Sequence, residues 1–189
     1  MRLPALLRPK REDGAIRLRF LTPDDAAAYR KLVLRLDQET PYRAYGPGER
    51  PEFLRAFNGE LRSVALNPNS CIIGAEEGDD LVGYLSAFGH TAPRLAHAVS
   101  VAVAILQSHT GQGLGGRLFA VLEGWARARG IRRVGLTVAT DNEPALKLYT
   151  RLGFAVEGRR RCSLKIGEEY ADEFYMSKLL DPPGSVSGS

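Results

Sequence analysis

Cysteine is scarce in this chain, and the two that occur have none of the spacings that would give them a chemical role. Cys71 and Cys162 form no C-x-x-C pair and lie in apolar, strand-like surroundings. That excludes a disulfide scaffold or a thiolate metal centre and leads us to expect free, buried thiols in a reducing cytoplasm. His90, His97 and His109 have no partners at ligand spacing, so no metal is expected either. No apolar run approaches the length of a membrane span. The basic start, Met1 to Arg11, is broken by Pro4 and lacks the apolar stretch and cleavage site of a secretion signal. Neither membrane attachment nor export is expected, and no internal repeat is visible.

What is present suits one compact domain: 189 residues, 44% of them apolar, supply enough material for a sizeable core. We read residues 1–13 as a flexible arm, 14–180 as the domain and 181–189, with Pro182, Pro183 and Gly184, as a disordered tail. Twenty-six basic against 22 acidic residues leave a net charge of +4, a mild excess that suits an anionic ligand as well as it suits nucleic acid.

Ile16, Leu18 and Phe20 alternate with arginines as a half-buried strand does. Thr22-Pro23-Asp24-Asp25 supplies a cap, a first-turn proline and an acid three past the cap, so a helix should follow to about Asp37 with Tyr29, Leu32, Val33 and Leu36 inward. A second helix is expected over Pro51 to Leu66, with Phe53, Leu54, Phe57 and Leu61 inward. Cys71–Ala75 and Leu81–Phe88 read as a hairpin with Glu76 to Asp80 as a solvated acidic tip. Arg132–Val138 reads as a further strand, and Phe154–Leu164 with Tyr170–Leu180 as a closing hairpin.

The centre of the chain carries its most specific signal. A β-branched run, Val99 to Ile105, leads through Gly111-Gln112-Gly113-Leu114-Gly115-Gly116 into a helix whose Leu114, Leu118, Val121, Leu122 and Trp125 make one apolar face, and Gly130 stops it. A glycine turn at a helix start gathers unpaired backbone N–H groups where the helix dipole adds positive charge. Gly111, Gly113 and Gly116 also satisfy the dinucleotide fingerprint, with Asp141 as its acidic residue, but they lie in mid-chain behind a hairpin rather than opening a βαβ unit. The P-loop lysine is missing. These glycines alone leave a phosphate seat and a tight packing turn both open.

Downstream, Val138, Asn142, Ala145, Leu148, Tyr149, Gly153 and Phe154 match V-x-x-x-N-x-x-A-x-x-L-Y-x-x-x-G-F in full. With Gly113 and Gly115 in a Q/R-x-x-G-x-G/A turn, where Thr110 replaces the usual Gln or Arg, the chain resembles the GNAT superfamily of acyl-CoA-dependent N-acetyltransferases from about Ile16 to Leu180. The resemblance implies an α/β fold with a mixed, mostly antiparallel sheet, flanking helices and splayed central strands. It implies acetyl-CoA as co-substrate without a metal. Val103, Ala104 and Ile105 would pair with the pantetheine amides, a backbone N–H of this strand would polarise the thioester carbonyl, and Gly111, Gln112, Gly113, Leu114, Gly115 and Gly116 would hold the pyrophosphate. Asn142 would bond the cofactor, and Tyr149 would protonate the departing thiolate as general acid. Arg117 is either a further positive charge there or a solvated residue.

The implied activity is direct acetyl transfer to a primary amine of a small molecule or amino acid. Protein amino-terminal or lysine acetylation and an idle acyl-CoA-binding module are the alternatives. A small-molecule amine is the expected partner, with no nucleic acid and no membrane, and a homodimer is common in the family. Glu39, Tyr42 and His97 are the candidates beside the acceptor. The base stays open, because Ser100 and Thr137 stand where relatives carry a glutamate, leaving a water relay through Glu39, His97 or Glu143.

Overall fold

The computed structural model describes residues 15–180, so the expected arm and tail lie outside the described residues. Seven strands make one sheet in the order β1-β2-β3-β4-β5-β7-β6. They are β1 Arg17–Phe20, β2 Cys71–Glu77, β3 Asp80–Gly89, β4 Ala98–Ile105, β5 Arg133–Ala139, β6 Ala155–Ile166 and β7 Glu169–Leu179. Neighbours run antiparallel except β4 and β5, which are parallel. Helices α1 Ala26–Glu39 and α2 Leu54–Leu66 lie on one face, where the Tyr29 ring meets Tyr84 of β3 edge-on at 5.3 Å. Helices α3 Leu114–Ala128 and α4 Glu143–Arg151 cover the other face, anchored by the fully buried Leu114, Leu118, Phe119 and Leu122. Each such leucine contributes about 2 kcal/mol of burial.

Local chemistry explains the element ends. Asp25 accepts the Thr22 N–H at 2.7 Å and closes the anticipated capping box through a short 3-10 turn, Pro23–Asp25. The second helix begins later than its pattern suggested. Phe53 is extended and flanks the first turn, so Phe53 and Leu54 are 64% and 50% exposed rather than inward, and Arg55 lies over the Phe53 ring instead.

The hairpin strands also run further than expected. The turn contracts to Gly78-Asp79, and Glu76 is buried, accepting from Arg17 and Arg19 of β1, rather than standing at a solvated tip. Cys71 is buried, which pushes its thiol up to about 12. Cys162 corrects the other expectation: it is exposed at φ +50°, inside the bulge where β6 slips register against β7 between Arg160 and Leu164.

Candidate functional site

Strands β4 and β5 pair for three residues only, Ala98 with Arg133, Val99 with Val134 and Ser100 with Gly135. Beyond that point β4 stays with β3 to Ile105 and β5 stays with β7 to Ala139, so a wedge opens between them. The Leu106 N–H donates to the Val82 carbonyl at 2.9 Å. Alternation along an antiparallel ladder then gives the main chains of Ala102 and Ala104 to β3 and turns those of Val101, Val103 and Ile105 into the wedge. On the far side, the Thr140 N–H bonds Asp172 O at 2.9 Å, and the same alternation leaves Thr137 and Ala139 facing the wedge. Of the predicted run, Val103 and Ile105 offer main-chain groups; Ala104 offers only its small side chain.

The mouth of the wedge is the start of α3. Gly111 and Gly113 adopt φ of +73° and +76°, and a Cβ placed on either, or on Gly116, would meet nothing within 4 Å. A packing turn would have neighbours there. These three positions are instead an open cradle, exposed at Gly111, Gln112 and Gly113, into which the first-turn N–H groups of α3 point without intrahelical acceptors. Gly115 is the exception: Leu148 of α4 lies 2.8 Å from where its Cβ would be, so this glycine admits close contact between the helices. Leu114 is buried and anchors the turn from below. The cradle fits a diphosphate in shape and polarity. Arg117 points its guanidinium to the Ile16 carbonyl at 2.7 Å, away from service to an anion.

Helix α4 brings the other predicted pair to the same side. Asn142 caps it, its side-chain oxygen accepting the Ala145 N–H at 3.3 Å, which leaves the amide NH₂ available. Two turns later Tyr149 is 6% exposed, packed against the rings of Phe119 and Phe154. Burial pushes its phenol up to about 12, so it stays protonated and can donate a proton throughout the neutral range.

On the α1/α2 side, residues Ser100, Ala102 and Thr137 form an exposed floor around the wedge, with Phe88 and Tyr175 as 42% and 49% exposed aromatic walls. The other predicted residues fall near its border or away from it. Glu39 accepts the Gln107 N–H at 2.7 Å and the Arg35 guanidinium at 2.8 Å, tying α1 to the segment after β4. Tyr42 is half-buried in the α1–α2 loop. His97 is exposed just before β4, at the closed end, where its carbonyl accepts from Arg132 and Arg133. Glu143 is exposed and bonded to Lys147.

Two arrangements escaped the sequence reading. Asp37, 3% exposed, holds Arg43 at 2.5 Å and also Arg50, pinning the loop over the floor. Burial works against its charge, but the two guanidinium groups keep its carboxyl below the usual range. An acid on the Tyr29–Val33 stripe was the available signal. The second arrangement is a network in which Glu157 accepts from Ser177 Oγ at 2.6 Å and from both Nη atoms of Arg133, beside the last β4–β5 pair. A separate cleft of about 280 Å³ between Phe20, Cys71, Trp125 and Arg129 touches none of these groups. Among the described residues there is no cluster that would hold a metal ion and no helix long and apolar enough to cross a membrane.

A sequence model of the Acetyltransferase (GNAT) family matches residues 31–154. The N-alpha-acetyltransferase RimI of Mycobacterium tuberculosis is 40% identical over 140 residues, which cover 72% of this chain and 80% of that protein. The L-amino acid N-acetyltransferase AaaT of Escherichia coli is 30% identical over 115 residues, 58% of this chain; the match spans 65% of that protein, just under two thirds. Among solved structures, a GNAT-family acetyltransferase from Streptococcus pneumoniae superposes with a TM-score of 0.83 at 27% identity, covering 88% of this chain and all of that one.

Proposed function

Because this chain belongs to the GNAT acetyltransferase family, we propose that it transfers an acetyl group from acetyl-CoA to a primary amine, with both bound at once in the wedge between β4 and β5. The observation that carries this reading is the loss of β4–β5 pairing after Ser100 and Gly135, leading straight from the open cradle at α3. Acetyl-CoA supplies the activated acetyl group. The amides of Gly111 to Gly116 hold its diphosphate, and the main chains of Val103 and Ile105 hold the pantetheine as a strand would. Asn142 adds a side-chain amide, and the phenol of Tyr149 gives its proton to the departing sulfur. Holding both reactants together removes much of the entropic barrier.

Among the described residues the floor names no base. The carboxylates that register places on this face, Glu157 and Glu173, are each bonded to an arginine. The amine therefore enters as its neutral form, and kcat/KM rises about tenfold per pH unit until the acceptor's own pKa. The first reading of the acceptor is a small molecule. A protein amino terminus is the second, favoured by the floor of small residues between aromatic walls, which suits an extended chain, and by the name of the relative RimI as an N-alpha-acetyltransferase. Release of free thiol from acetyl-CoA across a panel of amines and peptides tests the reading. CoA binding with no thiol release for any amine would instead identify an idle binding module.

A further inference from the structure

The acceptor face bears arginines but offers none of them. Arg133 stands two positions before Gly135, the last β5 residue paired with β4, and is taken by Glu157 through both Nη atoms, with Ser177 completing the network. Arg160 lies over the Tyr175 ring at 5.2 Å and donates to Glu173 at 3.2 Å. Arg43 and Arg50 share Asp37, Arg43 also reaches Tyr84, and Glu60 lies within the field of both. A free amino acid presents a carboxylate next to its reacting nitrogen, and that carboxylate loses hydration as it enters. It needs a cation in return. Among the described residues, every cation that register or loop placement brings to this floor already has a carboxylate of the protein's own. An amide in place of that carboxylate carries no charge and asks for none.

Resting on the acetyl-transfer reading above, we propose that Glu157 is a specificity-determining counter-ion: by occupying Arg133 it bars acceptors with a free carboxylate beside the amine and admits those in which that carboxyl is absent or amidated. The Arg133–Glu157 pair joins β5 to β6, and the Ser177 hydroxyl that donates to it is 6% exposed on β7. The pair is thus fixed by three strands, at the row of the sheet shared by Ser100, Gly135, Ser177 and Ala155. Glu157 keeps its charge down to about pH 2, because Arg133 and then Ser177 bond it, so protonation does not break the pair at ordinary assay pH.

The test pairs acceptors that differ only in this charge, alanine against alaninamide and a tripeptide against its amide as a control with the carboxylate moved away. Thiol release from acetyl-CoA is measured beside calorimetric binding of each acceptor to the CoA-loaded protein. Wild type should favour alaninamide over alanine by about tenfold or more, in binding as in kcat/KM. It should treat the two tripeptides alike. Glu157→Gln should raise the alanine-to-alaninamide ratio about fivefold or more by releasing Arg133, and the double change Glu157→Gln with Arg133→Gln should return it. Thermal melts of all three proteins confirm that each is folded, and a merely structural role would lower both acceptors together without moving the ratio. Wild type that binds alanine as well as alaninamide, or a ratio unmoved in folded Glu157→Gln, overturns the proposal. A binding preference of the expected size with no thiol released supports this inference and counts against acetyl transfer alone.

Discussion

Helices α3 and α4 both begin at the edge of the wedge, yet their first turns are finished in opposite ways. Helix α4 closes itself: Asn142 caps the chain, Pro144 removes a donor that has no partner, and Glu143 meets the dipole with its own charge. Helix α3 has no capping side chain and no acid in its first turn, and it is entered from left-handed Gly113. The contrast teaches where the chain expects help from outside. A helix start that will stay in water is finished by its own side chains, whereas one that will receive an anion is left with bare amides and empty space.

The most damaging way to break that contrast is to give α3 an acid of its own. Gly113→Asp places a carboxylate where the diphosphate would lie, in a left-handed conformation that costs an ordinary residue about 1–2 kcal/mol, and at close range the repulsion amounts to several kcal/mol. CoA affinity measured by calorimetry should fall by about 100-fold or more. Next comes Tyr149→Phe. It removes the proton donor and little packing, so kcat should fall about 100-fold while CoA affinity stays near wild type. The phenol's pKa, raised by burial to about 12, fixes the sign of the pH effects. The acid form survives through the neutral and mildly alkaline range, so kcat should show no alkaline limb between pH 8 and about 10. Because the folded pKa lies above the unfolded one, the stability from the buried neutral phenol is whole below about pH 10 and is lost as pH rises toward 12.

How much of this was legible in the sequence follows from distance along the chain. Asn142 and Tyr149 sit two turns apart on one helix, so their spacing alone put them on one side. Thr22 to Asp25 and the glycines before α3 were legible for the same reason, since caps and turns are written within four residues. The wedge was expected only through family resemblance, because which strand pairs with which depends on partners dozens of residues away. Arg133 and Glu157, 24 positions apart, meet only after β7 is laid between their strands. Glu76 misled as part of an acidic tip, because its partners Arg17 and Arg19 lie on a strand some 57 to 59 residues earlier. Phe53 and Leu54 misled in the other direction. Their helical spacing was sound, but the helix starts only after Phe53.

Closing the comparison from the α4 side has a smaller effect. Asn142→Ala should cost about 1 kcal/mol of stability as the cap to Ala145 is lost. A drop in CoA affinity beyond what the lower melting temperature explains would reveal the second use of that amide.

The sharpest test is also the mildest, because its two readouts should move in opposite directions. Gly116 lies inside the first turn of α3 at ordinary helical dihedrals, with open space where a Cβ would go. In the free protein, Gly116→Ala therefore adds a better helix former without a clash and should stabilise the fold by about 0.5–1 kcal/mol in thermal or denaturant unfolding. With CoA present, the same methyl intrudes on the space assigned to the diphosphate. Affinity should fall by a few-fold, roughly 1 kcal/mol, because the ligand must shift away from the amides. A glycine kept for packing would give the reverse: no gain in stability and no loss in binding. If Gly116→Ala strengthened the fold and left CoA affinity unchanged, the open space at the head of α3 would not be the phosphate seat, and the difference between the two helix starts would need another cause.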